Sequence, residues 1–161
     1  MDLSGIFEYD HSEIKILIHV MVAMLLGAVV GLDRELEDKP AGLRTNMLVA
    51  GSAALLVWLG RLMVPWYGLN DVALGSDPLR IIGAIITGVS FLGAGTIIRG
   101  GRSGKVHGLT TAATLLFVAS VGICVALSKI VIAIGVTVIA LLTLRGVGYL
   151  ERMLRPGSKN P

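Results

Sequence analysis

Between Gly108 and Leu144 the chain carries one charge, Lys129, and that run decides what kind of molecule it can be. Drawn out as one helix at ~1.5 Å per residue it would measure about 55 Å, nearly twice the ~30 Å of a bilayer's hydrocarbon layer. It must cross, turn and cross again. The only polar pair at its middle is Ser128-Lys129, which places a tight hairpin there and divides the run into spans over 109–127 and 130–147. Neither Gly nor Pro marks this turn.

Three earlier apolar segments, 16–32, 46–64 and 81–98, are each near the ~20 residues needed to cross once. The predicted fold is therefore an all-α integral membrane protein of five helices, a single transmembrane domain over 1–161. With 54% hydrophobic residues and only 16% charged, the charges fall in short clusters between long uncharged runs. A net charge of +3 does not point to nucleic acid, because the bases sit at the ends of apolar runs, where membrane topology accounts for them. The lone Cys124 allows neither a disulfide framework nor a thiolate metal site within one chain. Ahead of the first span stand Asp2, Glu8, Asp10 and Glu13 against Lys15 alone, which is not the charge pattern of a cleaved signal peptide. Arg61, near Trp58, Trp66 and Tyr67, reads as an interfacial anchor.

Five spans put the termini on opposite sides. One side collects ten bases, Arg34, Lys39, Arg44, Arg99, Arg102, Lys105, Arg145, Arg152, Arg155 and Lys159; the other has four, Lys15, Arg61, Arg80 and Lys129, with six carboxylates. The positive-inside rule then sets the N-terminus outside and the C-terminus in the cytoplasm. Small residues are dense within the spans: Gly27 and Gly31, then Ala50 to Ala54, then Ala84, Gly88, Gly93, Ala94 and Gly95. They suit close helix packing within one bundle, and with only five spans a homo-oligomer is the second expectation.

The first cytoplasmic loop holds Asp33, Arg34, Glu35, Glu37, Asp38, Lys39, Pro40, Gly42, Arg44, Thr45 and Asn46. Glu35 and Lys39 are four apart and can pair if the helix continues, Pro40 and Gly42 stop it, and Thr45 or Asn46 can cap the next span. Beyond those duties, Asp33, Arg34, Glu35, Arg44, Thr45 and Asn46 are candidates for an ion-paired gate, a weak divalent-cation contact or a docking face. The second loop, Arg99 to Gly108, sets Arg99, Arg102 and Lys105 among glycines and leads into Thr110 and Thr111. It fails as a P-loop, because Val106 stands where Ser or Thr would bind magnesium and a membrane helix precedes it. An anionic lipid headgroup or a plain glycine-held connection are its two readings.

On the outer side Asp77-Pro78-Leu79-Arg80 reads as a helix start, with Asp77 and Arg80 a candidate ion pair. His19, inside the first span, is expected as a neutral imidazole bonded to a neighbouring helix. Thr87, Ser90 and Thr96, with Thr110, Thr111 and Thr114, are expected to glue helices or line a polar track. No carboxylate lies in the middle of a span, which weighs against self-sufficient active transport. No His cluster or activated nucleophile suggests an enzyme or a cofactor, and the metal question stays open.

Gly31-Leu32-Asp33-Arg34-Glu35, Ala41-Gly42-Leu43-Arg44-Thr45-Asn46, Phe91-Leu92-Gly93-Ala94-Gly95 and Gly108-Leu109-Thr110-Thr111-Ala112-Ala113-Thr114 together resemble the signature of the MgtC/SapB family, over about Val22 to Leu142. The resemblance implies a bacterial inner-membrane protein of about five spans, associated with magnesium homeostasis and, in pathogens, with virulence. Such proteins are not established magnesium pumps. Two departures stand out: the chain ends at Pro161 without the ACT-like C-terminal domain found in the family, and Leu115-Leu116-Phe117 and Ser90 depart from its usual residues. The first expectation is a regulator acting through another membrane complex. Its rivals are a homo-oligomeric channel or transporter and a lipid-binding protein.

Overall fold

The computed structural model of the chain describes residues 11–66, 78–98 and 107–154. It contains five helices, α1 His11–Leu36, α2 Leu43–Trp66, α3 Pro78–Ile98, α4 Leu109–Ala126 and α5 Ile130–Leu154, and no strand among the described residues. All five are long and apolar enough to cross a membrane. Four of the helices overrun the apolar segments that announce them, α1 by several residues at each end, while α4 ends one residue short, at Ala126. A helix stops where its backbone finds other partners, which happens beyond the hydrocarbon boundary. Pro78 is the first residue of α3, where its fixed φ suits a helix start and its missing N–H is not needed.

The α4–α5 hairpin turns at the expected place by a device the sequence does not advertise. Ser128 N–H donates to the Val125 carbonyl (2.9 Å) and Lys129 N–H to the Cys124 carbonyl (2.9 Å), with Ser128 at φ 58°. This is a Schellman cap without glycine. The end of α1 repeats it: Asp38, at φ 52°, donates to Glu35 (3.1 Å) and Lys39 to Arg34 (3.0 Å). Short polar side chains tolerate the left-handed region best after glycine, which is why a turn forms where neither Gly nor Pro stands.

α4 is the axis of the bundle and touches all four other helices. Half of its span is buried, against about a tenth of α5. In lipid, apolar helices gain little from leaving the solvent, so close backbone approach must hold them. A Cβ on Gly27 would lie 2.6 Å from the Asn46 carbonyl oxygen, one on Gly31 2.8 Å from Leu43 Cα, and one on Gly122 would collide with the Ala50 carbonyl. The small residues of α1 and α2 thus serve the bundle interior, as does Gly93, packed on Ala112. On α3, Gly83, Gly88 and Gly95 meet nothing within 4 Å and Phe91 is 80% exposed. Cys124 is half-buried beside the α4 core.

Three of the candidate threonines bond within their own helix instead of across to a neighbour. Thr87, Thr96 and Thr114 donate to the carbonyls of Gly83, Gly93 and Thr110, each within its own helix. His19 does bond a neighbouring helix, its Nδ1 accepting from Trp58 Nε1 at 3.0 Å. Trp58 also lies beneath two cations, Lys15 Nζ at 5.9 Å and Arg61 Cζ at 5.3 Å from the ring centroid. Arg61 Nη1 in turn donates to the Ala126 carbonyl at 3.1 Å, so the anchor residue also fastens α2 to the last turn of α4.

Candidate functional site

The last turn of α1 brings Asp33 and Arg34 inward, leaving them 4% and 5% exposed. Asp33 Oδ2 accepts from Arg34 Nη2 at 2.5 Å and from Nε at 3.2 Å. Its other oxygen, Oδ1, accepts from Arg145 Nε of α5 at 2.7 Å. One carboxylate is thereby shared by two guanidinium groups. A charge at the end of a membrane span is stable only when so paired and hydrogen-bonded.

Glu35, one turn position further, points along the exposed side and accepts from Leu43 N–H at 2.8 Å through Oε2. It caps α2, a role expected of Thr45 or Asn46. It does not pair with Lys39 among the described residues, because α1 ends at Leu36 and the Asp38 cap carries the chain away. Gly42 makes room: a Cβ there would fall on the Glu35 carboxylate. Helix α2 accordingly starts at Leu43, earlier than the segment from 46.

Asn46 is fully buried, and its Nδ2 donates to the Ala41 and Gly42 carbonyls, both at 2.8 Å. It ties the loop down from inside the helix. Its Oδ1 has no hydrogen-bond partner among the described residues. Arg44 and Thr45 are exposed, and with Glu35, Asp38, Lys39, Pro40 and Gly42 they line an open cleft of about 560 Å³.

The candidates of this loop therefore divide into a built-in set, Asp33, Arg34, Glu35 and Asn46, and a displayed pair, Arg44 and Thr45. Thr110 is exposed and Thr111 buried at the start of α4, after Gly108, whose φ of 88° and approach to the Thr96 carbonyl both suit glycine. Arg99, Arg102 and Lys105 lie outside the described residues, as does Asp77, so only the exposed Arg80 of the outer pair is placed. Among the described residues no three His, Cys, Asp or Glu side chains converge as metal ligands would. The residue that sequence reasoning missed is Arg145. The available signal was depth: it is the base that span five brings to the end where Asp33 sits buried.

Comparisons with known proteins cover most of the chain. The model of the MgtC family matches residues 20–153. Protein MgtC of Salmonella typhimurium (strain LT2) is 39% identical over 126 residues, which cover 78% of this chain and 49% of that protein. Protein SrpB of Synechococcus elongatus is 38% identical over 142 residues, 83% of this chain and 75% of its own length. YhiD of Escherichia coli (strain K12), provisionally named a magnesium transporter, is 34% identical over 134 residues, 81% and 59% respectively. The chain thus spans about half the length of the MgtC proteins it matches. No solved structure matches it.

Proposed function

The chain belongs to the MgtC family of multi-pass membrane proteins, and from that membership we propose that it is a non-enzymatic regulator of magnesium and ion homeostasis in a bacterial inner membrane, acting by contact with another membrane complex. One observation carries the reading: Asp33 and Glu35, the two acids flanking Arg34, are already engaged. Asp33 is held by two arginines and Glu35 by a helix N-terminus, while Lys39, Arg44 and Thr45 stand around an open cleft at the same end. A face braced from within and polar without is suited to protein contact, where rim charges set specificity.

The test is reconstitution of the full chain in liposomes loaded with a magnesium or a proton indicator, alongside crosslinking in cells from a photoreactive residue at Thr45. The regulator reading expects no protein-dependent flux and one reproducible membrane partner, lost on Arg44→Ala. Flux that Arg44→Ala or Glu35→Gln abolishes would overturn it.

A second reading, a homo-oligomeric channel or transporter, is favoured by α3. There Gly83, Gly88 and Gly95 face outward with Thr87 and Ser90, a surface suited to another helix more than to lipid. The provisional name of the E. coli relative points the same way. A monomer by mass measurement in detergent and in nanodiscs would sink this alternative.

A further inference from the structure

At the end of the bundle opposite the Asp33 cluster, we propose that Lys15, Arg61 and the indole of Trp58 form a binding site for the phosphate monoanion of an anionic lipid. The first support is depth. Lys15 lies just inside the start of the span Glu13–Leu36, Arg61 just inside the end of Leu43–Met63, and Arg61 reaches the carbonyl of Ala126, the last residue of Leu109–Ala126. Three spans leave the hydrocarbon at this level, which is where lipid phosphates lie.

The second support is charge. Both cations lie against the same indole, Lys15 Nζ at 5.9 Å and Arg61 Cζ at 5.3 Å from its centroid, which bounds the separation of the two like charges at about 11 Å. Neither has a carboxylate partner among the described residues. Glu13 is only two positions from Lys15 and so faces another side of α1. The other carboxylates with described side chains, Asp33, Glu35, Glu37 and Asp38, belong to the opposite end of the helix. A ring face attracts a cation but does not neutralise it. One shared anion does.

The third support is that the site is held in shape. Trp58 Nε1 is fixed on His19 Nδ1 at 3.0 Å, which sets the ring that orients both cations. Arg61 spends one donor on Ala126, and a guanidinium has five, so the rest remain for phosphate oxygens. Both Lys15 and Arg61 are exposed, open to a headgroup arriving from the surrounding bilayer.

The experiment is native mass spectrometry of the full chain in an uncharged detergent, titrated with phosphatidylglycerol, phosphatidylcholine or inorganic phosphate. Phosphatidylglycerol is expected to bind in preference to phosphatidylcholine. Lys15→Gln should weaken it about fivefold, and Lys15→Gln with Arg61→Gln about twenty-fold or more, from the attraction of each base for an anionic lipid. The charge-keeping pair Lys15→Arg with Arg61→Lys should retain binding, which separates lost charge from a lost fold. Equal binding of phosphatidylglycerol by the chain and its double Gln variant would overturn the site. So would equal binding of the two lipids. Displacement of phosphatidylglycerol by an equal concentration of inorganic phosphate would overturn the lipid as the source of the phosphate.

Discussion

Arg145, near the end of the fifth span Ile130–Val147, donates from Nε to Oδ1 of Asp33, at 2.7 Å and 112 positions earlier in the chain. Because α5 is the least buried of the five helices, this bond is a principal tie between it and α1. Removing Asp33 would leave the buried Arg34 guanidinium without its partner, so Asp33→Ala is expected to destabilise the fold by about 3–5 kcal/mol. Arg145→Ala leaves Asp33 its bonds to Arg34, and the loss should be smaller, about 1–2 kcal/mol. Reversible unfolding in mixed micelles reads both, and an Arg145→Ala loss as large as that of Asp33→Ala would refute the ranking.

Glu35 and Gly42 form a coupled pair, since the glycine leaves the space that the carboxylate fills. Glu35→Ala removes the cap of α2 and should cost about 1 kcal/mol. Gly42→Ala should cost at least as much alone, but little more in the Glu35→Ala background, where the collision no longer exists. A double-mutant cycle measures that coupling, and additive effects would show that the two do not share one contact.

Ser128 and Asp38 hold left-handed conformations that disfavour residues with a Cβ. Ser128→Gly and Asp38→Gly are each expected to raise stability by up to about 1 kcal/mol. Gly108→Ala, at φ 88° against the Thr96 carbonyl, should do the reverse. Thermal unfolding of the three variants should order them with the two glycine replacements above the parent chain and Gly108→Ala below it.

The spans were legible because hydropathy and length act on a whole segment and bilayer thickness leaves little choice. The hairpin at Ser128 was legible only as the one polar interruption, since its cap uses backbone bonds that no residue type announces. Of the loop candidates, Asp33 and Arg34 could be recognised as unusual, but not their link to Arg145, because pairing between distant helices depends on how the bundle packs. Glu35 and Asn46 were noticed for their chemistry, but with other duties, a pair with Lys39 and a cap shared with Thr45: the acid caps the helix, and the amide restrains the loop. The displayed character of Arg44 and Thr45 follows from those duties and was not visible beforehand.

Gly122 and Gly88 test the two kinds of glycine. Gly122→Ala drives a methyl into the main chain of Ala50 and should lower the yield of folded protein sharply. Gly88→Ala meets open space and should leave monomer stability within about 0.5 kcal/mol of the parent. Comparable losses for both, by size-exclusion profile in detergent, would contradict the assignment of their faces.

Sidedness can be checked with a single cysteine. In a Cys124→Ser background, Lys129→Cys should react with a membrane-impermeant maleimide in intact cells, whereas Ser103→Cys should react only after the membrane is opened. The reverse pattern would invert the orientation.

The glycine crossings also restrict where anything could permeate. At Gly27 and Gly31 the main chain of α1 meets that of α2, and at Gly122 the main chain of α4 meets that of α2. A hydrated ion passing among these three helices would have to force apart backbones that have no side chains to swing aside. Any route for an ion through the chain would have to lie away from the α1–α2 and α2–α4 crossings.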